Sequence, residues 1–218
     1  MTTSTRADVR TRVRNRLSAF DLWTDAELNA EIQASVAHFH DLVLTIDRSA
    51  ALSVNDLAVT AGTPDYDLLA WQPTFYELVA IDVLDATQPS GLSPVERYNY
   101  DERHRYQAYG QQLRDVRYEV RGGKLRLYPT PTQSGTLRIG WIPTATVLAA
   151  DGTTFLAYNF MEEWVVADVM QKAAPKRRDD PTPYQARKAE MERIMRQNVP
   201  ADHARPRTIV DVQGWNGR

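Results

Sequence analysis

Apolar positions repeat with a helical period near both ends of the chain and alternate like strands in its middle. From about 6 to 18, Val9, Val13 and Leu17 recur at i, i+4 and i+8, which predicts a short helix with Arg6, Arg10, Arg12, Arg14 and Arg16 on its other faces. Thr24-Asp25-Ala26-Glu27 then reads as a capping box, in which hydroxyl and carboxylate satisfy free backbone N–H groups. Leu28, Ile32, Val36, Phe39, Val43 and Ile46 draw one apolar stripe behind it, predicting a long amphipathic helix that ends near Asp47.

The period changes after Ala50. Residues 52–60 are β-leaning, and Gly62 and Pro64 mark a turn after them. Tyr76 to Val83 predicts a buried strand, and a helix is expected over part of 94–113. Two strand-like runs, 116–121 and 124–128, are separated by Gly122-Gly123 alone, the two-residue loop of a type I′ hairpin. That register sets Val120 opposite Leu125 and Tyr118 opposite Leu127 on an apolar face. Glu119 opposite Arg126 and Arg117 opposite Tyr128 form a polar face directed at water or a partner. Pro129 and Pro131 end the hairpin, and Leu137, Ile139 and Trp141 alternate along a further strand closed by Pro143.

The helical period returns from about Phe160, with Met161, Trp164, Val165 and Val169 in a stripe that Pro175 stops. Thr182-Pro183-Tyr184-Gln185 restarts a helix to about Asn198, with Thr182 as cap, Pro183 at the first helical position and Met191, Ile194 and Met195 on the inner face. Helices, then strands, then helices predict an α+β fold: an antiparallel helical bundle from 1–50 and 155–198, an inserted small antiparallel β module from 51–154, and an extended C-terminal arm from 199–218.

Composition narrows the function more by exclusion than by suggestion. The chain has 218 residues, 43% of them hydrophobic and 25% charged, with a formal net charge of −2. A chain of this size buries about 70% of its unfolded surface, enough for a real core. No net electrostatic attraction to DNA or membranes follows from that charge. The absence of cysteine excludes disulfides, thiolate metal sites and a cysteine nucleophile. The polar start Met1-Thr2-Thr3-Ser4-Thr5-Arg6 and the lack of any apolar run near the roughly 20 residues that span a bilayer predict a soluble protein made and used in the cytosol.

No phosphate-binding glycine loop, dinucleotide fingerprint or G-x-S-x-G elbow occurs, and no catalytic residue, cofactor or metal is expected. His38 and His40 stand about 200° apart on a helix, so they do not share a ligand face. Asp179-Asp180 beside Lys176-Arg177-Arg178 reads as a solvated interhelical loop. The five N-terminal arginines are the basic concentration, open to a protein contact, a solvated face or the phosphates of a nucleic acid. Tyr98, Tyr100, Tyr106 and Tyr109 interleave with arginines, the two residue types favoured at protein interfaces. The expected subunit or tail interface is therefore Arg10, Arg14, Tyr98, Tyr100, Arg117, Arg126 and Tyr128.

Residues 199–218 carry too little apolar surface to fold alone. Extended, they reach roughly 65 Å, against a radius of gyration of about 17 Å for the body. Ile209, Val210, Val212 and Trp215 are the residues that would dock into a neighbour, as by adding a strand to a sheet edge; the alternatives are a disordered end and a strap lying on its own domain.

Four stretches together resemble the head-to-tail adaptor (connector) subunits of tailed bacteriophages. They are Leu22-Trp23-Thr24-Asp25-Ala26-Glu27-Leu28 with the stripe through Phe39, the hairpin Tyr118 to Pro131 with its Pro-x-Pro exit, the strand Leu137 to Ile142 followed by the Trp164 helix, and the arm. The resemblance implies a non-enzymatic virion protein of the neck, assembled in the host cytoplasm. It implies a homo-oligomeric ring of twelve beneath the portal protein, with genomic DNA passing through without sequence-specific binding. The arm residues Ile209, Val210, Val212 and Trp215 would grip the portal, and tail or neck proteins would bind the β-containing end. The alternatives are a small nucleic-acid-binding protein using the arginine-rich helix, another neck or tail-completion component, and a hydrolase assembled from scattered residues.

Overall fold

The computed structural model describes residues 2–17, 23–85, 91–102, 113–157 and 162–198. They combine helices with antiparallel sheets, an α+β fold. The chain divides into two compact units, one taking in Met1–Ala50 and Ala145–Pro206, the other built on Ala51–Thr144.

The first unit is mainly helical. Helix α1 (Arg6–Leu17) buries Val9, Val13 and Leu17, the three residues of its sequence stripe. Helix α2 (Asp25–Ile46) starts at the predicted capping box: the Thr24 hydroxyl accepts the Glu27 N–H at 3.2 Å, and the Glu27 carboxylate accepts the Thr24 N–H at 2.9 Å. It buries Leu28, Ile32, Val36, Phe39 and Val43, and Asp47 leaves the helix with extended backbone. Helix α4 (Glu162–Ala173) is buried without a break from Trp164 to Met170, so it occupies the centre of this unit rather than its surface. Helix α5 (Thr182–Asn198) contributes Met191 and Met195 to the same core, with Ile194 half-buried beside them.

Two helix boundaries differ from the prediction for identifiable reasons. Pro175 does not stop α4 directly: the α-helix ends at Ala173 and tightens into a 3-10 turn over Ala174–Arg177 that carries the proline near its start. Arg178 closes it in the left-handed conformation, with φ of 63°. Helix α5 begins earlier than a Thr182 cap would place it. The Pro181 carbonyl accepts the Gln185 N–H, while the Asp180 carboxylate accepts both the Thr182 N–H at 2.9 Å and its hydroxyl at 2.6 Å. Asp180 supplies the acceptor and Thr182 donates to it.

A short ribbon completes this unit. Strand β1 (Thr2–Thr5) pairs antiparallel with β9 (Thr154–Ala157). Leu148 and Phe155 join the helical core. The Gln33 side chain holds this segment against α2, donating to the Thr146 carbonyl at 3.1 Å and accepting the Leu148 N–H at 2.6 Å.

The second unit holds two antiparallel sheets around one apolar cluster. The larger runs β2 (Ser53–Val59), β8 (Gly135–Pro143), β4 (Phe75–Leu84), β5 (Leu92–Pro94) in spatial order. Leu57, Val59, Ile81, Val83, Leu137, Ile139 and Trp141 supply its buried side. β4 is only half buried, contrary to the strand predicted over 76–83: Tyr76 alternates outward beside the buried Phe75, and Val79, of the inward parity, is exposed where the register against β8 shifts between Leu78 and Ala80.

The smaller sheet runs β3 (Asp65–Asp67), β7 (Lys124–Tyr128), β6 (Arg117–Arg121). The β6–β7 hairpin has the predicted register throughout, Val120 opposite Leu125 and Tyr118 opposite Leu127. Gly122 and Gly123 take φ of 57° and 77°, the left-handed pair that a type I′ turn needs. Asp67, at the end of β3, caps the single turn α3 (Leu68–Trp71) by accepting the Leu69 and Ala70 N–H groups. The helix expected within 94–113 does not occur in the described part up to Glu102. There β5 ends, Arg97 bridges to Tyr118, and a 3-10 turn spans Tyr100–Glu102. Residues 103–112, with Tyr106 and Tyr109, lie outside the described residues, as does the arm 199–218.

Candidate interface on the three-stranded sheet

The outward face of the smaller sheet follows from strand parity. With Leu125 and Leu127 inward, Arg126 and Tyr128 turn outward, and the pairing brings Glu119 and Asp65 to either side of Arg126. A row of alternating charge, Asp65–Arg126–Glu119, therefore crosses all three strands. The Arg126 Nε lies 3.6 Å from the Asp65 carboxylate, and its guanidinium carbon is 5.1 Å from the centre of the Tyr128 ring. The Tyr128 hydroxyl donates to Glu119 at 3.3 Å. Burial raises the Tyr128 phenol above its ordinary pKa, outweighing the neighbouring Arg126 charge.

Residues 96–98 lay a second aromatic group on this face. The Tyr98 N–H donates to the Tyr118 carbonyl at 2.7 Å and the Tyr118 N–H to the Glu96 carbonyl at 3.1 Å, so this segment continues the sheet beyond β6. Tyr98 then stacks on Tyr128, with ring centres 4.2 Å apart and planes 22° apart. Arg117 pairs with the Glu96 carboxylate at 2.9 Å. Four residues singled out in the sequence, Tyr98, Arg117, Arg126 and Tyr128, thus share one sheet, held by Glu96, Glu119 and Asp65. Tyr100 lies on the 3-10 turn Tyr100–Glu102 and is 68% exposed. Interleaved carboxylates make this face a poor match for a polyanion and a good one for a protein surface of mixed charge.

Arg10 and Arg14 lie in the other unit, among carboxylates. Arg6 and Arg10 both donate to Asp151, at 2.8 and 2.5 Å. Arg12 pairs with Glu162 at 3.1 Å, Arg14 with Asp25, and Arg16 with both oxygens of Glu163 at 2.8 and 3.0 Å. Each arginine of the basic helix has an acidic partner within its own unit. Ile209, Val210, Val212 and Trp215 lie outside the described residues.

A polar cluster inside the helical core has no counterpart in the sequence reading. Asp168 is 1% exposed. Its carboxylate accepts from Ser35 Oγ at 2.7 Å on α2, from Lys188 Nζ at 2.6 Å on α5, and lies 2.9 Å from Lys172 Nζ on its own helix. Burial raises its pKa, but the bonds from Lys172, Lys188 and Ser35 outweigh that and hold it below the usual carboxylate range. Lys188 also lies 4.7 Å from the centre of the Trp164 ring, and His38 meets the same ring edge-on at 5.3 Å. Trp164 donates its indole N–H to Glu192 at 3.1 Å. The legible signal was Asp168 itself, a carboxylate on the apolar side of α4 with Lys172 one turn on.

Among the described residues no group of three or more His, Asp or Glu side chains is placed to hold a metal ion, and no helix is long and apolar enough to cross a membrane. The family model described as SU10 adaptor protein matches residues 4–211. No curated protein matches the chain.

Proposed function

The chain belongs to the SU10 adaptor protein family, a family of phage head-to-tail adaptors, and from that premise we propose that it forms a ring beneath the portal, joining the filled capsid to the tail. The match over residues 4–211, nearly the whole chain, carries this reading. It makes the protein a structural component of the virion, associated with other virion proteins. The ring has twelve copies and sits in the neck, having assembled in the host cytoplasm.

In this reading the helical unit is an antiparallel bundle that packs beside its neighbours around the channel. The C-terminal arm reaches the portal, with Trp215 as its anchor; a buried Trp commonly contributes 2 kcal/mol or more to an interface. The face bearing Tyr98, Arg117, Arg126 and Tyr128 receives a tail or neck protein, or the adjoining subunit. A formal net charge of −2 suits a channel through which DNA passes without sticking. The role is assembly and needs no catalysis.

The test mixes purified portal rings with the full-length chain and with a version ending at Asn198. Size exclusion and negative-stain microscopy should show a second ring with the full-length protein and none with the truncation. Equal binding by both would remove the arm's role and leave the adaptor. Binding by neither would remove the adaptor reading.

A further inference from the structure

Strand β2 ends the larger sheet with an unusually accessible edge. Among the described residues it pairs with β8 alone, in unbroken register from Ser53 opposite Trp141 to Val59 opposite Gly135. An antiparallel ladder of this kind turns every second N–H and C=O pair away from the partner strand. Among the described residues the other sheet ends are short or occupied: β1 and β9 have four residues each, β3 and β5 three each, β5 ends in Pro94, and residues 96–98 hydrogen-bond along β6. Proteins shield long edges with proline, bulges or added backbone, and β2 has neither a proline nor a bulge. At its start Val54 is 55% and Leu52 is 40% exposed. Leu52 packs over Gly140, where even a Cβ would come to 3.4 Å of it, and Ala80 lies beside the same glycine. An apolar patch therefore adjoins the open edge. The Asp56 carbonyl further along accepts Trp71 Nε1 at 3.3 Å, so new pairing starts at the Leu52–Val54 end.

We propose that this edge receives residues Thr208–Val212 of a second copy of the chain, which add to the sheet as a further strand. The sequence Thr-Ile-Val-Asp-Val has four β-branched residues in five, the composition of a strand, and Pro206 just before it disfavours a helical approach. The nine residues 199–207 that lead to it from α5 span at most about 30 Å, a leash long enough to leave its own subunit. The choice of a second copy rests on the ring reading: head-to-tail contacts between identical subunits close a ring, and a strand given by each copy to the next is such a contact. Ile209, Val210 and Val212 then tie subunit to subunit in place of the portal contact that the resemblance implies for them.

The chain has no cysteine, so disulfide trapping has no background. Chains carrying only Val54→Cys are mixed with chains carrying one cysteine at each position from 208 to 212 in turn, assembled, and oxidised. The expected result is a heterodimer on a non-reducing gel, with yields that alternate along 208–212 as strand parity requires. Val210→Pro in the partner chain should abolish the bond made from a neighbouring cysteine. A V54C homodimer alone, a flat yield along the scan, or no heterodimer overturns the proposal. A double-cysteine chain that closes only on itself does so too, by placing the strand within one subunit. Portal binding without the heterodimer would sink the strand and leave the adaptor, whereas the heterodimer without portal binding would do the reverse.

Discussion

Lys188 on α5 donates to the buried Asp168 carboxylate of α4 at 2.6 Å, and Ser35 of α2 donates to the same carboxylate at 2.7 Å. One side chain thereby ties three helices, including the one that precedes residues 199–218. Replacing Asp168 by Ala leaves Lys188 without its buried partner, and breaking such a pair costs roughly 3–5 kcal/mol. Thermal unfolding should show a large fall in midpoint for D168A. The pH dependence has a definite sign. The folded carboxyl titrates below its unfolded value, so its contribution is present above that unfolded value, about 3.9, and is lost as pH falls through the lower folded one. Acid unfolding of D168N should therefore be less steep over that range than that of the parent chain.

The Glu27 carboxyl is lowered to about 2 by the Lys176 ammonium at 2.8 Å and by the Thr24 N–H and hydroxyl. Its stabilising effect holds above the ordinary glutamate range and disappears as pH falls toward 2. NMR titration of this carboxyl should give a midpoint well below that of an unstructured glutamate, and Lys176→Met should move it upward. Thr24→Ala removes the capping hydroxyl and should cost about 1 kcal/mol.

A DNA-binding role for the first helix fares poorly against its geometry. Arg10, Arg12, Arg14 and Arg16 pair with Asp151, Glu162, Asp25 and Glu163. Changing all four to Gln should lower the unfolding midpoint and leave the mobility of duplex DNA in a gel-shift assay unchanged. A salt-sensitive shift with the parent chain that the variant loses would restore the nucleic-acid reading.

The stacked pair of Tyr98 and Tyr128 carries the proposed contact on the smaller sheet. Tyr98→Ala with Tyr128→Ala should weaken binding of the neck or tail partner by at least about 30-fold, the equivalent of roughly 2 kcal/mol for an aromatic anchor. Portal binding should stay as it was. Circular dichroism of the double variant checks that the β6–β7 hairpin survives.

The elements legible in the sequence were those specified by local chemistry. The α2 stripe from Leu28 to Val43 and its Thr24–Glu27 cap, and the register around Gly122-Gly123, needed no distant partner to be read. Elements defined by remote partners were not visible. β3 is three polar and aromatic residues that become a strand only because β7 lies beside them, and β1 is a threonine-rich run paired with residues 154–157. The start of α5 was misplaced because Asp180 and Thr182 both fit a cap, and only the hydrogen-bond directions separate them. At the candidate interface, the pairing of Arg117 with Tyr128 and of Glu119 with Arg126 was written in hairpin parity. The stacking of Tyr98 was not, since it depends on how residues 96–98 return to β6. Of the buried polar cluster, Asp168 with Lys172 one turn on is visible in the sequence, whereas Ser35 and Lys188 come from other helices and are not.

Cryo-electron microscopy of the full-length chain bound to its portal is the most direct test of the adaptor assignment. It should show a closed ring of twelve copies stacked coaxially beneath the portal, with an open central channel and density for each arm reaching upward. A chain that remains monomeric beside intact portal rings, at concentrations where neck components assemble, would contradict it.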